Sequence, residues 1–122
     1  MPIPSRLMGT GASAIFAAQV CGDVSEVVAS GTTQANSLAV STATIISTTT
    51  AAGTGIVLPP AEVGAMFIVH NLGANALLVY PFRATDVINA LGAGAGFSVA
   101  AAKMAILVGR TNGTGFVAGV TV

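Results

Sequence analysis

The sequence predicts an all-β fold, an antiparallel β-sandwich entered through an extended N-terminal arm, and three observations predict it. First, β-branched and aliphatic residues recur in short runs bounded by Gly, Pro, Asn or Ser, the pattern of strands between turns. Second, Asn112-Gly113 separates two such runs, and Asn-Gly is the strongest short hairpin signal because both residues tolerate left-handed backbone. Third, seven or eight short runs follow one another at a spacing that suits a sandwich or a jelly roll. At 122 residues the chain makes about one domain with a single core.

The elements follow in chain order. Residues 1–11, MPIPSRLMGTG, hold two prolines and two glycines and suit an extended arm. The run ASAIFAAQV from Ala12 to Val20 is rich in helix formers, and Gly22 stands where a helix would stop, so one short helix is expected there. Asp23 and Glu26 are expected to be solvated near a following turn or a second short helix. We place the arm at residues 1–36 and the β-domain at 37–122. SLAVSTATIISTTT is crowded with Ser and Thr, yet its β-branched content argues for strand over disordered linker. GIVL closes at Pro59 and Pro60, which cannot donate to a ladder. AMFIVHN and ALLVYPF flank Leu72 to Asn75, whose Gly73 and Asn75 suggest a hairpin. DVINA, then GFSVAA after the GAGAG stretch, then KMAILVGR and TGFVAGVTV complete the series.

Charge excludes several classes of function. Charged residues are 7% of the chain and the formal net charge is zero, where soluble domains carry about 25%. Surfaces near neutrality associate, so much of the exterior is expected to be covered by other protein. FIV, LLVY and AILV are apolar without alternation, which calls for cover on both strand faces. No uninterrupted apolar run reaches the roughly 18 residues of a membrane helix, and an outer-membrane barrel needs at least eight strands of about 9 to 11 residues, more than the short runs of this chain can supply alone; no membrane partner is expected. Without a cluster of Lys and Arg, nucleic acid is disfavoured as well. LMGTGASAIFAAQVCG loosely imitates a secretory leader, but glycines break it and Ala18, Gln19 and Val20 fit a lipoprotein box poorly, so no cleaved leader is expected.

Chemistry has few candidates. One His and one Cys cannot supply the three or four ligands of a zinc site, and lone Cys21 reads as a small buried hydrophobe. His70, inside a β run, reads as a hydrogen-bonded histidine at a strand end. GAGAG at 92–96 lacks the Gly-Lys-Ser/Thr of a phosphate loop and reads as a flexible turn. Asp23, Glu26, Glu62 and Asp86 lie in turn-like contexts with no motif joining them, and Arg83 with Asp86 suggests a local ion pair. We therefore expect no catalytic residue, no cofactor, no metal and no enzymatic activity.

Three stretches carry a resemblance: VVASGTTQANSLAVS, TTTAAGTGIVLPPAEVGAMFIVHNLGANALLVYP and DVINALGAGAGFSVAAAKMAILVG. With them residues 27–118 resemble small tailed-bacteriophage virion proteins of the capsid decoration, or cement, type, with GTGIVLPPAEVG and NLGANALLVYP as the most specific parts. The resemblance implies a jelly-roll-like β-sandwich, a homotrimer, and a role in clamping neighbouring subunits of the major capsid protein. It implies a place on the capsid surface of the virion after synthesis in the host cytoplasm; a tail, neck or fibre subunit is the alternative. The arm is expected to be the attachment element, with Ile3, Leu7, Met8, Ile15 and Phe16 as apolar anchors and Arg6 available to an acidic group of the shell or another virion protein.

Overall fold

The computed structural model describes residues 5, 8–11, 13–15 and 23–120. Among the described residues it is mainly β, with ten strands in two mixed sheets. The strands are β1 (Val24–Val28), β2 (Leu38–Ala39), β3 (Thr44–Thr49), β4 (Gly55–Val57), β5 (Met66–Asn71), β6 (Leu77–Tyr80), β7 (Val87–Ile88), β8 (Phe97–Val99), β9 (Met104–Gly109) and β10 (Gly115–Val120). Six strands form one sheet in the order β1-β3-β5-β9-β10-β7, and four form the other in the order β2-β4-β6-β8.

The chain alternates between the sheets from β1 to β6, so strands of one sheet that come two apart in sequence lie side by side and run parallel. Val24 pairs with Thr44 and Thr44 with Ile68 in the larger sheet; Leu38 pairs with Ile56 and Ile56 with Val79 in the smaller. β7 also runs parallel to β10. Only β5 with β9, β9 with β10 and β6 with β8 are antiparallel. This corrects the expectation of an antiparallel fold. The Asn112-Gly113 hairpin is present, with Gly113 at φ 67° and its N–H donating to the Arg110 carbonyl. The hairpin expected at Leu72 to Asn75 is not, because β5 and β6 belong to different sheets.

Side chains decide that second case. Asn71 donates through Nδ2 to the carbonyls of Asn75 and Val99, at 2.8 and 2.9 Å, and its Oδ1 accepts from the Gly73 N–H and the Thr50 hydroxyl. Asn75 donates to the Thr50 carbonyl, and Ser47 Oγ lies 2.8 Å from Thr50 Oγ1. These bonds fasten the segment after β5 to the end of β3 and to β8, carrying the chain across to the smaller sheet. Buried polar groups of this kind are tolerated because every one has a partner.

The core takes residues from both sheets. Ile45, Phe67, Val69, Leu107 and Phe116 of the larger sheet join Ile56, Leu77, Val79 and Val99 of the smaller in one cluster. Phe67 and Phe116 meet edge to face with ring centroids 5.8 Å apart, a geometry favoured by the ring quadrupole. The larger sheet begins at Val24, upstream of Ser37 where the β-domain was placed, and Glu26 sits within β1 instead of a turn or helix. Of the stretch expected to be helical, Ala14 and Ile15 are helical and Ser13 is not; 12 and 16–20 lie outside the described residues. The arm expected to be extended over 1–11 is instead helical at Ser5 and Met8 and turned at 9–11, with the Gly9 N–H donating to the Ser5 carbonyl.

Candidate interaction surface

Alternation along the larger sheet sends one set of side chains into the core and the other outward. Phe67, Val69, Ala105, Leu107 and Phe116 point in and are buried. The outward set is also apolar. Met66, Ile106, Val108 and Val117 are 53, 40, 39 and 57% exposed, and the register joins them: Met66 pairs with Val108 and Val108 with Val117, while Ile68 pairs with Ile106. Val24 continues the apolar row toward the β1 edge through Thr44. The next row runs Glu26, Ile46, His70, Met104, and Glu26 is its one carboxylate. An antiparallel sheet facing water normally alternates apolar and polar residues, and parallel pairs are normally covered on both faces; this face has the composition of a covered surface. LLVY behaves otherwise, since β6 is buried or half-buried along its length within the chain itself, where Tyr80 donates its hydroxyl to the Thr32 carbonyl.

A second feature lies where the chain crosses into the larger sheet. A cleft of about 250 Å³ is lined by Asp23, Ser41, Thr42, Pro59, Pro60, Glu62 and Phe67 among others. Asp23 precedes β1 and is tied to the start of β3: its carbonyl accepts the Thr44 N–H, and its Oδ1 accepts the Ala43 N–H at 2.9 Å. Glu62 is set by a tight turn in which its N–H donates to the Pro60 carbonyl and its own carbonyl accepts the Ala65 N–H. That turn lies against Gly109, where a Cβ would collide with the Glu62 carbonyl, so only glycine allows the approach. That Asp23 and Glu62 line one cleft was not visible in sequence, since the two residues are distant in the chain and belong to no motif.

The remaining polar candidates are dispersed. His70 stands half-buried on the outward face between Ile46 and Met104, and its ring makes no hydrogen bond with the described residues, unlike the hydrogen-bonded histidine expected. Arg83 Nη1 lies 3.8 Å from Asp86 Oδ2, a long version of the expected ion pair. Asp86 itself is 2% exposed and its Oδ2 has no hydrogen-bond partner, which corrects the expectation of a solvated turn residue. The Gly94 N–H donates to the Asp86 main-chain carbonyl at 2.8 Å, so the GAGAG stretch folds back onto the backbone of this turn. Among the described residues no three His, Cys, Asp or Glu side chains gather as metal ligands, and no helix is long and apolar enough to cross a membrane.

Of the anchors expected in the arm, Met8 and Ile15 are exposed, at 44 and 79%. Ile3, Arg6, Leu7 and Phe16, like Cys21, lie outside the described residues. Fold and surface together define a mainly-β domain with mixed sheets and an exposed apolar sheet face. Comparison with protein families, with curated proteins and with solved structures found no match to this chain.

Proposed function

We propose that this protein is a non-catalytic structural subunit of a tailed-phage particle, which decorates the capsid and stabilises it by bridging major capsid protein subunits. The observation that carries the reading is the outward face of the larger sheet, where Met66, Ile106, Val108 and Val117 lie in register and open to solvent. Contiguous exposed apolar patches mark interaction surfaces, and a chain with 7% charge has little else to keep it dispersed. As its architecture we infer a two-sheet sandwich, because side chains of both sheets meet in one core. The jelly-roll likeness rests on strand spacing and on the sequence resemblance, and the five parallel pairings depart from its strand order.

Size supports more than one contact per subunit. Five strands of five or six residues, β1, β3, β5, β9 and β10, spaced by about 4.8 Å make a face of roughly 400 Å², about half of the ~800 Å² that one partner gives to a standard interface. The arm, with Met8 and Ile15 exposed, supplies further apolar area, and a homotrimer supplies more. A tail, neck or fibre subunit would use the same surfaces. The test is to add purified protein to phage shells lacking it and to locate it in a map of the particle. Density on the capsid lattice at hundreds of copies is the expected result; density at the tail or neck selects the alternative, and no binding to any particle overturns the reading.

A further inference from the structure

We propose that Asn112 is a site of spontaneous covalent modification, where the Gly113 nitrogen displaces the Asn112 side-chain amide and water then leaves aspartate or isoaspartate. The proposal does not depend on what the sheet face binds. Asn112 is exposed in the turn between β9 and β10. Of the five asparagines in the chain it alone precedes a glycine; the others precede Ser37, Leu72, Ala76 and Ala90. A Cβ on the following residue crowds the approach of its nitrogen to the asparagine side chain, and Gly113 has none.

The turn prepares the electrophile. Asn112 Oδ1 accepts the Thr114 N–H at 3.0 Å, which polarises the side-chain carbonyl. The same N–H stands ready for the oxyanion that forms on Oδ1 as nitrogen adds to Cγ. Nδ2 makes no hydrogen bond with the described residues, so the amide leaves directly into water. The other side chains are held: Asn71 and Asn89 through both amide atoms, Asn75 through Nδ2 to Thr50, and Asn36 through Oδ1 to Thr32 and Thr33. The restraint on Asn112 is the Gly113 N–H, which donates to the Arg110 carbonyl at 2.9 Å. Attack therefore takes place when this one turn bond opens, a local fluctuation that costs far less than unfolding.

In ring closure the bond from Gly113 N to Asn112 Cγ forms, the Cγ–Nδ2 bond breaks, and the Gly113 proton leaves with Nδ2 as ammonia. Water then opens the cyclic imide. Cleavage at Cγ restores the main chain with aspartate, and cleavage at the main-chain carbonyl leaves the chain running through the side chain as isoaspartate. Either product adds one negative charge to a chain of formal net charge zero. Aspartate keeps an acceptor for the Thr114 N–H. Isoaspartate lengthens the backbone inside the turn that sets β9 against β10, so the two products differ in stability.

The test incubates the folded full chain in heavy-oxygen water at mildly alkaline pH, then digests it with trypsin in ordinary water. Cleavage after Arg110 releases a peptide beginning at Thr111 in which Asn112 is the single amide side chain, and cleavage after Arg83 and Lys103 releases an internal control holding Asn89 alone. Heavy oxygen should enter the Asn112 peptide as two products of equal mass that separate chromatographically, while the Asn89 peptide stays unlabelled. Gly113→Ala, with its fold checked by circular dichroism, should slow labelling about tenfold, because the added Cβ blocks the attacking nitrogen. The purified isoaspartate form should melt a few degrees below the aspartate form. An unlabelled Asn112 peptide, equal labelling of the Asn89 peptide, or an unchanged rate in Gly113→Ala would each overturn the proposal.

Discussion

The side chain of Asn71 reaches from β5 in one sheet to the Val99 carbonyl of β8 in the other, and accepts from Thr50 and Gly73 on its second atom. Replacing it with Ala removes four hydrogen bonds, those with the Val99 carbonyl and the Thr50 hydroxyl buried and those with Asn75 and Gly73 part-buried. At about 1 to 3 kcal/mol for each buried group left unsatisfied, with part of that recovered by relaxation, Asn71→Ala should lose about 3 to 5 kcal/mol. Urea unfolding should show a lower midpoint at an unchanged slope. An unchanged midpoint would mean that the network is dispensable. Gly113 illustrates a smaller backbone effect. Its φ of 67° places a side chain in the left-handed region, and Gly113→Ala should cost about 1 kcal/mol, visible as a fall of a few degrees in Tm.

Elements are held with unequal strength. β9 sits between β5 and β10 and contributes Ala105 and Leu107 to the core, whereas β1 is an edge of the larger sheet with Val24 and Val28 57 and 58% exposed. Exposed edges invite pairing with other chains, and natural proteins guard them with charge; Glu26, midway along β1, is placed for that role. The arm precedes this edge. Among the described residues, those between 2 and 11 belong to no strand and to no core cluster, so the chain without residues 2–11 should keep its β-rich circular dichroism spectrum and its Tm within a few degrees. It should bind shells more weakly if the arm anchors the subunit. Unchanged affinity would assign attachment to the β-domain instead.

For the whole molecule, two adjacent residues of β9 separate folding from assembly. Leu107 is fully buried in the chain's own core and Val108 is 39% exposed on the outward face. Leu107→Asp buries an unpaired carboxylate and should cost several kcal/mol, enough to unfold a domain of ordinary stability. Val108→Asp should leave stability within about 0.5 kcal/mol, as usual for a surface change, yet block association through the sheet face. Light scattering at micromolar concentration should show an oligomer, a trimer by the resemblance, for the natural sequence and a monomer for Val108→Asp. An oligomer in both would place the interface elsewhere.

Composition and short-range pattern were enough to determine a mainly-β chain, the strands at GIVL, AMFIVHN, LLVY and KMAILVGR, the Asn112-Gly113 hairpin and the scarcity of His, Cys and charged residues. All of these depend on side-chain shape, backbone freedom or simple inventory, which act within a few residues. Tertiary structure alone decided which strands became neighbours. Gly73 and Asn75 announce a change of direction, but whether the next strand pairs with the last or crosses to another sheet depends on Asn71 and Thr50 meeting Val99 and Asn75. The same holds for the cleft, since Asp23 and Glu62 converge only because parallel winding brings the starts of β1, β3 and β5 to one end of the sheet. Long-range pairing is set by the sum of core packing and hydrogen-bond satisfaction over the whole chain, and no local window of sequence contains that sum.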